Sequence, residues 1–329
     1  MTTSPESSDD SSTGKPVVGV SHCLLGKNVR YNGGHTMDKF IAHQLSQHFD
    51  FVPVCPEVAI GLGTPRPTLR LVEGGEKEGV RLETSTGDQD VTEAMERFAR
   101  QWAEQEGPRL RGFVAMRKSP SCGVHRVKVY AAKSGMPQTS GEGVFVRVLR
   151  EAQPLLPMDE GGRLNDPTLR ENFLTRVYAY SRLRSLFEGP WTQGDLVKFH
   201  SREKMLLLAY DNKGYRELGR WVASAHGKDR NEVEATYCQG FMEALMTPST
   251  PRRHTNVLQH LAGYLKRKIP SQERQELADL IHGYREGVVP RLAPLTLLKH
   301  HLRRLKVDYV LAQTYLQPHP RGLDRFHHF

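Results

Sequence analysis

Cysteine is scarce in this chain, four in 329 residues, too few and too scattered for a disulfide framework to organise a protein of this length. No apolar run is long enough to span a bilayer, so no membrane helix and no membrane partner are expected. The opening segment MTTSPESSDDSSTGK has neither a basic stretch nor an apolar core and does not resemble an export signal. It reads instead as a disordered, acidic, Ser-rich tail over residues 1–15. No internal repeat is visible. These absences together point to reduced thiols in a cytoplasmic protein.

What is present fits a soluble globular chain: 38% hydrophobic and 25% charged residues. The length allows two domains, since single cores usually stop growing at about 250–300 residues. The net charge of +9 is uneven. Residues 195–329 carry 22 Lys and Arg against 14 Asp and Glu, whereas residues 1–194 carry 24 against 23. A basic C-terminal half can attract nucleic acid or another polyanion, so nucleic acid is kept as a possible partner for that half.

The hydropathy pattern changes character along the chain. Buried strands are predicted at residues 17–21, 51–54, 112–116 and 155–158, with a further strand at 127–131 and a hairpin from 69–72 and 80–83. Between them, 35–49, 90–106 and 144–152 have helical spacing, while the Gly- and Pro-rich 55–67 reads as loop. This predicts an α/β domain over residues 16–160: a mostly parallel, Rossmann-like sheet with helices on both faces. A connecting helix at 161–190 leads to an all-helical domain at 191–329, with helices at 196–210, 214–225, 230–246, 252–268, 271–286 and 295–315.

Three of the cysteines share a context. Cys23 follows VVGVSH, Cys55 follows FVPV, and Cys122 follows GFVAMRKSPS, each where a strand gives way to a loop. The carboxyl ends of parallel strands line one crevice, so these thiols are predicted to converge. Three protein ligands leave a metal one open position, which chemistry on a bound substrate requires. Cys238 lies on an apolar helical face and is expected to be packing. Zinc stays open as the metal, because Cys122 and His125 have C-x-x-H spacing and His22 and His35 flank the first loop.

The loops HCLLGKNVRYNGGH, VCPEVAIGLGTPRP and KSPSCGVHR also resemble the signature of the thiouracil desulfidase family, over about residues 16–155. HSREKMLLLAY and the six-helix pattern resemble a family of unknown function found fused to it. The resemblance implies a 4Fe-4S cluster held by Cys23, Cys55 and Cys122, whose open iron takes the sulfur of a thiolated nucleobase or nucleotide while water attacks the carbon. Non-redox, hydrolytic release of sulfide is then expected. The alternative is a nucleic-acid-binding accessory protein with a structural iron-sulfur or zinc site.

Water attack needs a proton carrier, and Glu57, two residues after Cys55, is the candidate acid and base. A carboxyl in a partly dry pocket can be tuned toward neutrality for that task. Ser119 and Ser121 are candidates to hydrogen-bond substrate or cluster, or to shape a turn. Arg30, Arg66 and Arg70 are candidate anion or carbonyl binders. Val29, His22 and Asn32 depart from the resembled pattern, which expects Ala and Asp at the last two and, in some sequences, a further cysteine at the first.

Overall fold

The computed structural model describes residues 14–74, 79–131, 136–320 and 322–323. The expected disordered tail therefore lies outside the described residues as far as residue 13, and so does the tip of the first hairpin, 75–78. The chain divides into two units between Gly162 and Arg163.

In the first unit, four strands form a parallel sheet in the order β2-β1-β5-β8: β1 Val17–Ser21, β2 Asp50–Val54, β5 Gly112–Ala115 and β8 Met158–Glu160. Val18 and Val20 on one face of β1 are fully buried. Gly19, on the other face, is required there: a Cβ would lie 2.5 Å from the Phe113 ring. That ring packs against Trp102 of α2 (Thr92–Glu106) and Phe145 of α3 (Val144–Ala152), at centroid distances of 6.1 and 5.8 Å. Both faces are thus covered, as a parallel sheet demands.

The single sheet expected from the sequence is two. β3 Leu69–Glu73, β4 Val80–Thr84, β6 Val127–Tyr130 and β7 Pro137–Gly141 form a second, mixed sheet in the order β4-β3-β6-β7. Its central pair, β3 and β6, is parallel, and both outer pairs are antiparallel. The segment at 127–131 therefore belongs to this sheet. The fourth parallel strand begins only after Pro157, because its end is polar: Asp159 and Glu160 are buried carboxylates that no hydropathy pattern marks as strand.

Two local corrections bear on the cavity described below. The helix expected at 35–49 shrinks to a π-turn at Phe40–Gln44 and a 3-10 turn at Leu45–Gln47. It starts late because the Asp38 carboxylate accepts hydrogen bonds from the Phe40 and Ile41 amides at 3.0 and 3.2 Å. The loop after Cys55, in turn, opens with a single helical turn, α1 Pro56–Ala59, which the proline at its first position favours.

The second unit is helical: α4 Pro167–Phe187, α5 Gln193–Tyr210, α6 Asn212–Ser224, α7 Arg230–Ala244, α8 Pro251–Ala262, α9 Ser271–Arg285, α10 Leu292–Arg304 and α11 Asp308–Leu311. Phe173, Leu174, Val177, Tyr237 and Phe241 are buried in its core. The helix expected at 295–315 is broken at Lys306, whose φ is +50°, a turn that no Gly or Pro announces. Glu203, with no exposed surface, is held by a bidentate Arg182 at 2.6 and 3.0 Å and by the Thr314 hydroxyl at 2.8 Å. Among the described residues no helix is long and apolar enough to cross a membrane.

Candidate functional site

β1, β2 and β5 are neighbours in the parallel sheet, so the loops at their carboxyl ends open onto one place. Cys23, Cys55 and Cys122 all line a single cavity there, of about 370 Å³. Cys23 and Cys122 are buried and Cys55 half-buried, and none is in a disulfide. Burial pushes the Cys23 thiol up to about 12, and its neighbours Cys122 and Cys55 raise it further. Burial likewise takes Cys122 to about 11 and raises Cys55. Three thiolates crowded in this pocket need positive charge among them, which a metal group provides.

Each loop is pinned by polar contacts. Ser21 Oγ lies 3.2 Å from Cys122 Sγ and accepts from the Met116 amide at 2.9 Å. Ser119 Oγ accepts from the Ser121 and Cys122 amides at 3.3 and 3.2 Å, so Ser119 shapes the turn and also lines the cavity. Glu160 Oε1, at the end of β8, accepts from the Val124 and His125 amides at 2.9 and 3.0 Å. Gly143 packs directly on the same loop, where a Cβ would sit 2.4 Å from the Ser121 carbonyl. Gly143→Ala is therefore expected to displace the Cys122 loop. Its thermal midpoint should fall by several degrees, the size of an overpacking cost of about 1–3 kcal/mol, as scanning calorimetry would read.

Glu57 also lines the cavity, but not as an isolated carboxyl. Its Oε1 accepts from the Ser121 hydroxyl at 2.7 Å, while Oε2 receives Arg66 Nε and Nη2 at 2.8 and 2.5 Å. Arg66 was expected to be available to an anion or carbonyl. Its side chain is 3% exposed and its guanidinium is consumed within the protein. Ser121 is fully buried and meets Glu57. Arg30 lines the cavity 5.5 Å from the Tyr31 ring. Arg70 instead lines an adjoining cavity of about 290 Å³, together with Lys118, Lys128 and Tyr130. The two cavities share Thr68, Leu69, Lys118 and Pro120.

The histidines that kept zinc open are dispersed. His22 lines the cavity, with burial and Lys27 holding its imidazole below the usual value. His125 is turned to Asp159 at 3.7 Å, and His35 is exposed, its Nδ1 accepting from the Met37 amide. Among the described residues no three His, Cys, Asp or Glu side chains stand as a group able to hold a metal ion. A three-thiol cavity of this size suits an inorganic cluster better than a single zinc ion. Val29 contributes its carbonyl, 3.6 Å from Cys55 Sγ, and Asn32 is exposed, accepting from the Gly34 amide.

In the helical unit, Cys238 is half-buried and its thiol is pushed up to about 12 by burial. His200, expected among outward-facing cations, is lowered to about 4 by burial and lies 3.2 Å from the Tyr237 hydroxyl. The basic helices thus lose one of their charges, and the expectation of a nucleic-acid partner gains no support from them.

A parallel-sheet unit with three loop thiols around one cavity, followed by a helical unit, defines a two-part sulfur-handling class. The chain belongs to the 2-thiouracil desulfurase family, which it matches over residues 18–161; residues 204–320 match a protein family of unknown function, DUF1722. The uncharacterized protein YbgA of Escherichia coli strain K12 is 38% identical over 158 residues, covering 48% of this chain and 94% of that protein. The uncharacterized protein YbbK of Bacillus subtilis strain 168 is 32% identical over 139 residues, covering 40% of this chain and 89% of that protein. Among solved structures, the 4Fe-4S-dependent thiouracil desulfidase TudS is 28% identical, covering 48% of this chain and 98% of its own, with a TM-score of 0.36.

Proposed function

We propose that the chain removes sulfur hydrolytically, as sulfide, from a thiolated pyrimidine base or nucleotide, with a 4Fe-4S cluster held by Cys23, Cys55 and Cys122. The observation that carries this reading is the convergence of three thiols on one cavity that Glu57 also lines. When bound, such a cluster supplies an iron without a protein thiolate, a soft Lewis acid for the thiocarbonyl sulfur. The chain itself must position the ring, deliver water and move protons. Glu57 is the carrier: it takes a proton from the attacking water and returns it to the departing sulfur. Ser121 donates to Oε1 and so fixes which oxygen faces Ser119 and the third loop. The Ser119 hydroxyl, whose oxygen already accepts two amides, keeps its hydrogen for a substrate or sulfide acceptor. The carbon gains one C–O bond from water and loses its bond to sulfur, so no net electron is transferred.

The adjoining cavity, with Arg70, Lys118 and Lys128, favours a substrate that carries an anionic group beyond the base. Anaerobically purified protein should contain iron and acid-labile sulfide and release sulfide from 2-thiouracil, 4-thiouridine or its monophosphate without added reductant. The nucleotide should have the largest kcat/KM. Reaction in ¹⁸O-water should place one labelled oxygen in the product. Protein that takes up no cluster under anaerobic reconstitution would sink the proposal.

A further inference from the structure

The three cysteine loops come from distant stretches of sequence, yet one side chain joins them. Arg66, on the loop that follows Cys55, donates from Nη2 to the Val29 carbonyl at 3.0 Å, and its own amide donates to the Tyr31 carbonyl at 2.8 Å. Both acceptors lie on the Cys23 loop. Nη1 donates to Gly63 at 2.8 Å, closing its own loop, and Nε and Nη2 bind Glu57 Oε2. Through the other Glu57 oxygen, Ser121 brings in the Cys122 loop. The same Val29 carbonyl lies 3.6 Å from Cys55 Sγ, so the arginine and a thiol share an acceptor. A planar fork with five N–H donors can make these contacts together; an ammonium cannot.

We infer that Arg66 is the positioning residue of the site: it sets the spacing of Cys23, Cys55 and Cys122 and aims the Glu57 carboxylate, touching neither substrate nor cluster. The inference rests on the function proposed above but is tested separately from it. Contacts that orient metal ligands typically change metal affinity by about 10- to 100-fold when removed. The full-length protein is reconstituted anaerobically and challenged with a competing iron chelator, and retained iron and sulfide are measured.

Arg66→Gln is expected to lose iron about 10- to 100-fold more readily than wild type, and Arg66→Lys to fall between the two. At matched cluster content Arg66→Gln should lower kcat with little change in KM, because Glu57 is misaimed while the substrate walls remain. Amide exchange on wild-type protein gives a readout independent of any variant's folding. The Arg66 amide and the segments around Val29 and Gly63 should exchange slowly even after chelation. Fast exchange there, or an Arg66→Gln protein that keeps its iron and its kcat, overturns the inference. If wild type takes up no cluster, the proposed function fails, while exchange still decides whether Arg66 ties the loops.

Discussion

Changing Cys23, Cys55 or Cys122 singly to serine is expected to lower sulfide release by more than about 100-fold, beyond the usual penalty for disturbing an outer contact of a metal site. Serine keeps the size but replaces a soft, ionisable sulfur with a hard hydroxyl that does not bind iron-sulfur clusters well. The folded chain should survive the change. Burying a hydroxyl costs about 1–3 kcal/mol, and Ser21 and the Val29 carbonyl stand ready to hydrogen-bond at positions 122 and 55. Iron, acid-labile sulfide and far-ultraviolet dichroism, measured on the same preparations, separate loss of cluster from loss of fold. Cys238→Ser is the internal control, since that thiol lies in the helical unit, and its iron content should match wild type. A serine variant at 55 that kept both iron and rate would remove Cys55 from the ligand set.

Glu57→Gln should separate holding from catalysis. The amide oxygen can still accept from Arg66, and the amide nitrogen can donate to Ser121 once that hydroxyl turns, so the loops stay tied. What vanishes is the group that carries a proton. A fall in kcat of about 10²- to 10⁴-fold is expected, the range for losing a general acid or base, with cluster content retained. This is the reverse of the pattern expected for Arg66→Gln, which loosens the cluster first. Wild-type turnover by Glu57→Gln would exclude the carboxylate from proton transfer.

The site was legible in the sequence to the extent that it depends on strand ends. β1, β2 and β5 are short apolar runs cut off by Gly, Pro and Ser, and each cut is followed closely by a thiol. A parallel sheet brings such positions together without further information. What could not be read is who holds the loops. Arg66 and Glu57 are nine residues apart, with a helical turn and several glycines between them, and no spacing rule pairs them. Glu160 sits in a three-residue strand with two acidic members, which composition assigns to a surface turn. Yet it caps the Cys122 loop from 35 and 36 residues away. The second sheet was missed for a similar reason: β3 and β6 each read as a strand, but which sheet a strand joins is set by pairing over long sequence separation. In the helical half the pattern located most helices within a few residues, and failed at Lys306 because an ordinary side chain occupies the left-handed turn.

The second sheet has a mechanical consequence. The loop carrying Cys55 leaves β2 of one sheet and ends in β3 of the other, and the loop carrying Cys122 runs in the same way from β5 to β6. Two of the three sulfurs therefore sit on spans between separately hydrogen-bonded bodies, while Cys23 is anchored beside the first sheet alone. Shear of one sheet past the other would open or close the sulfur triangle like the jaws of a vice. A cluster gripped by all three would lock that shear, so iron loading should stiffen the β3–β6 pair, strands that contribute no cysteine.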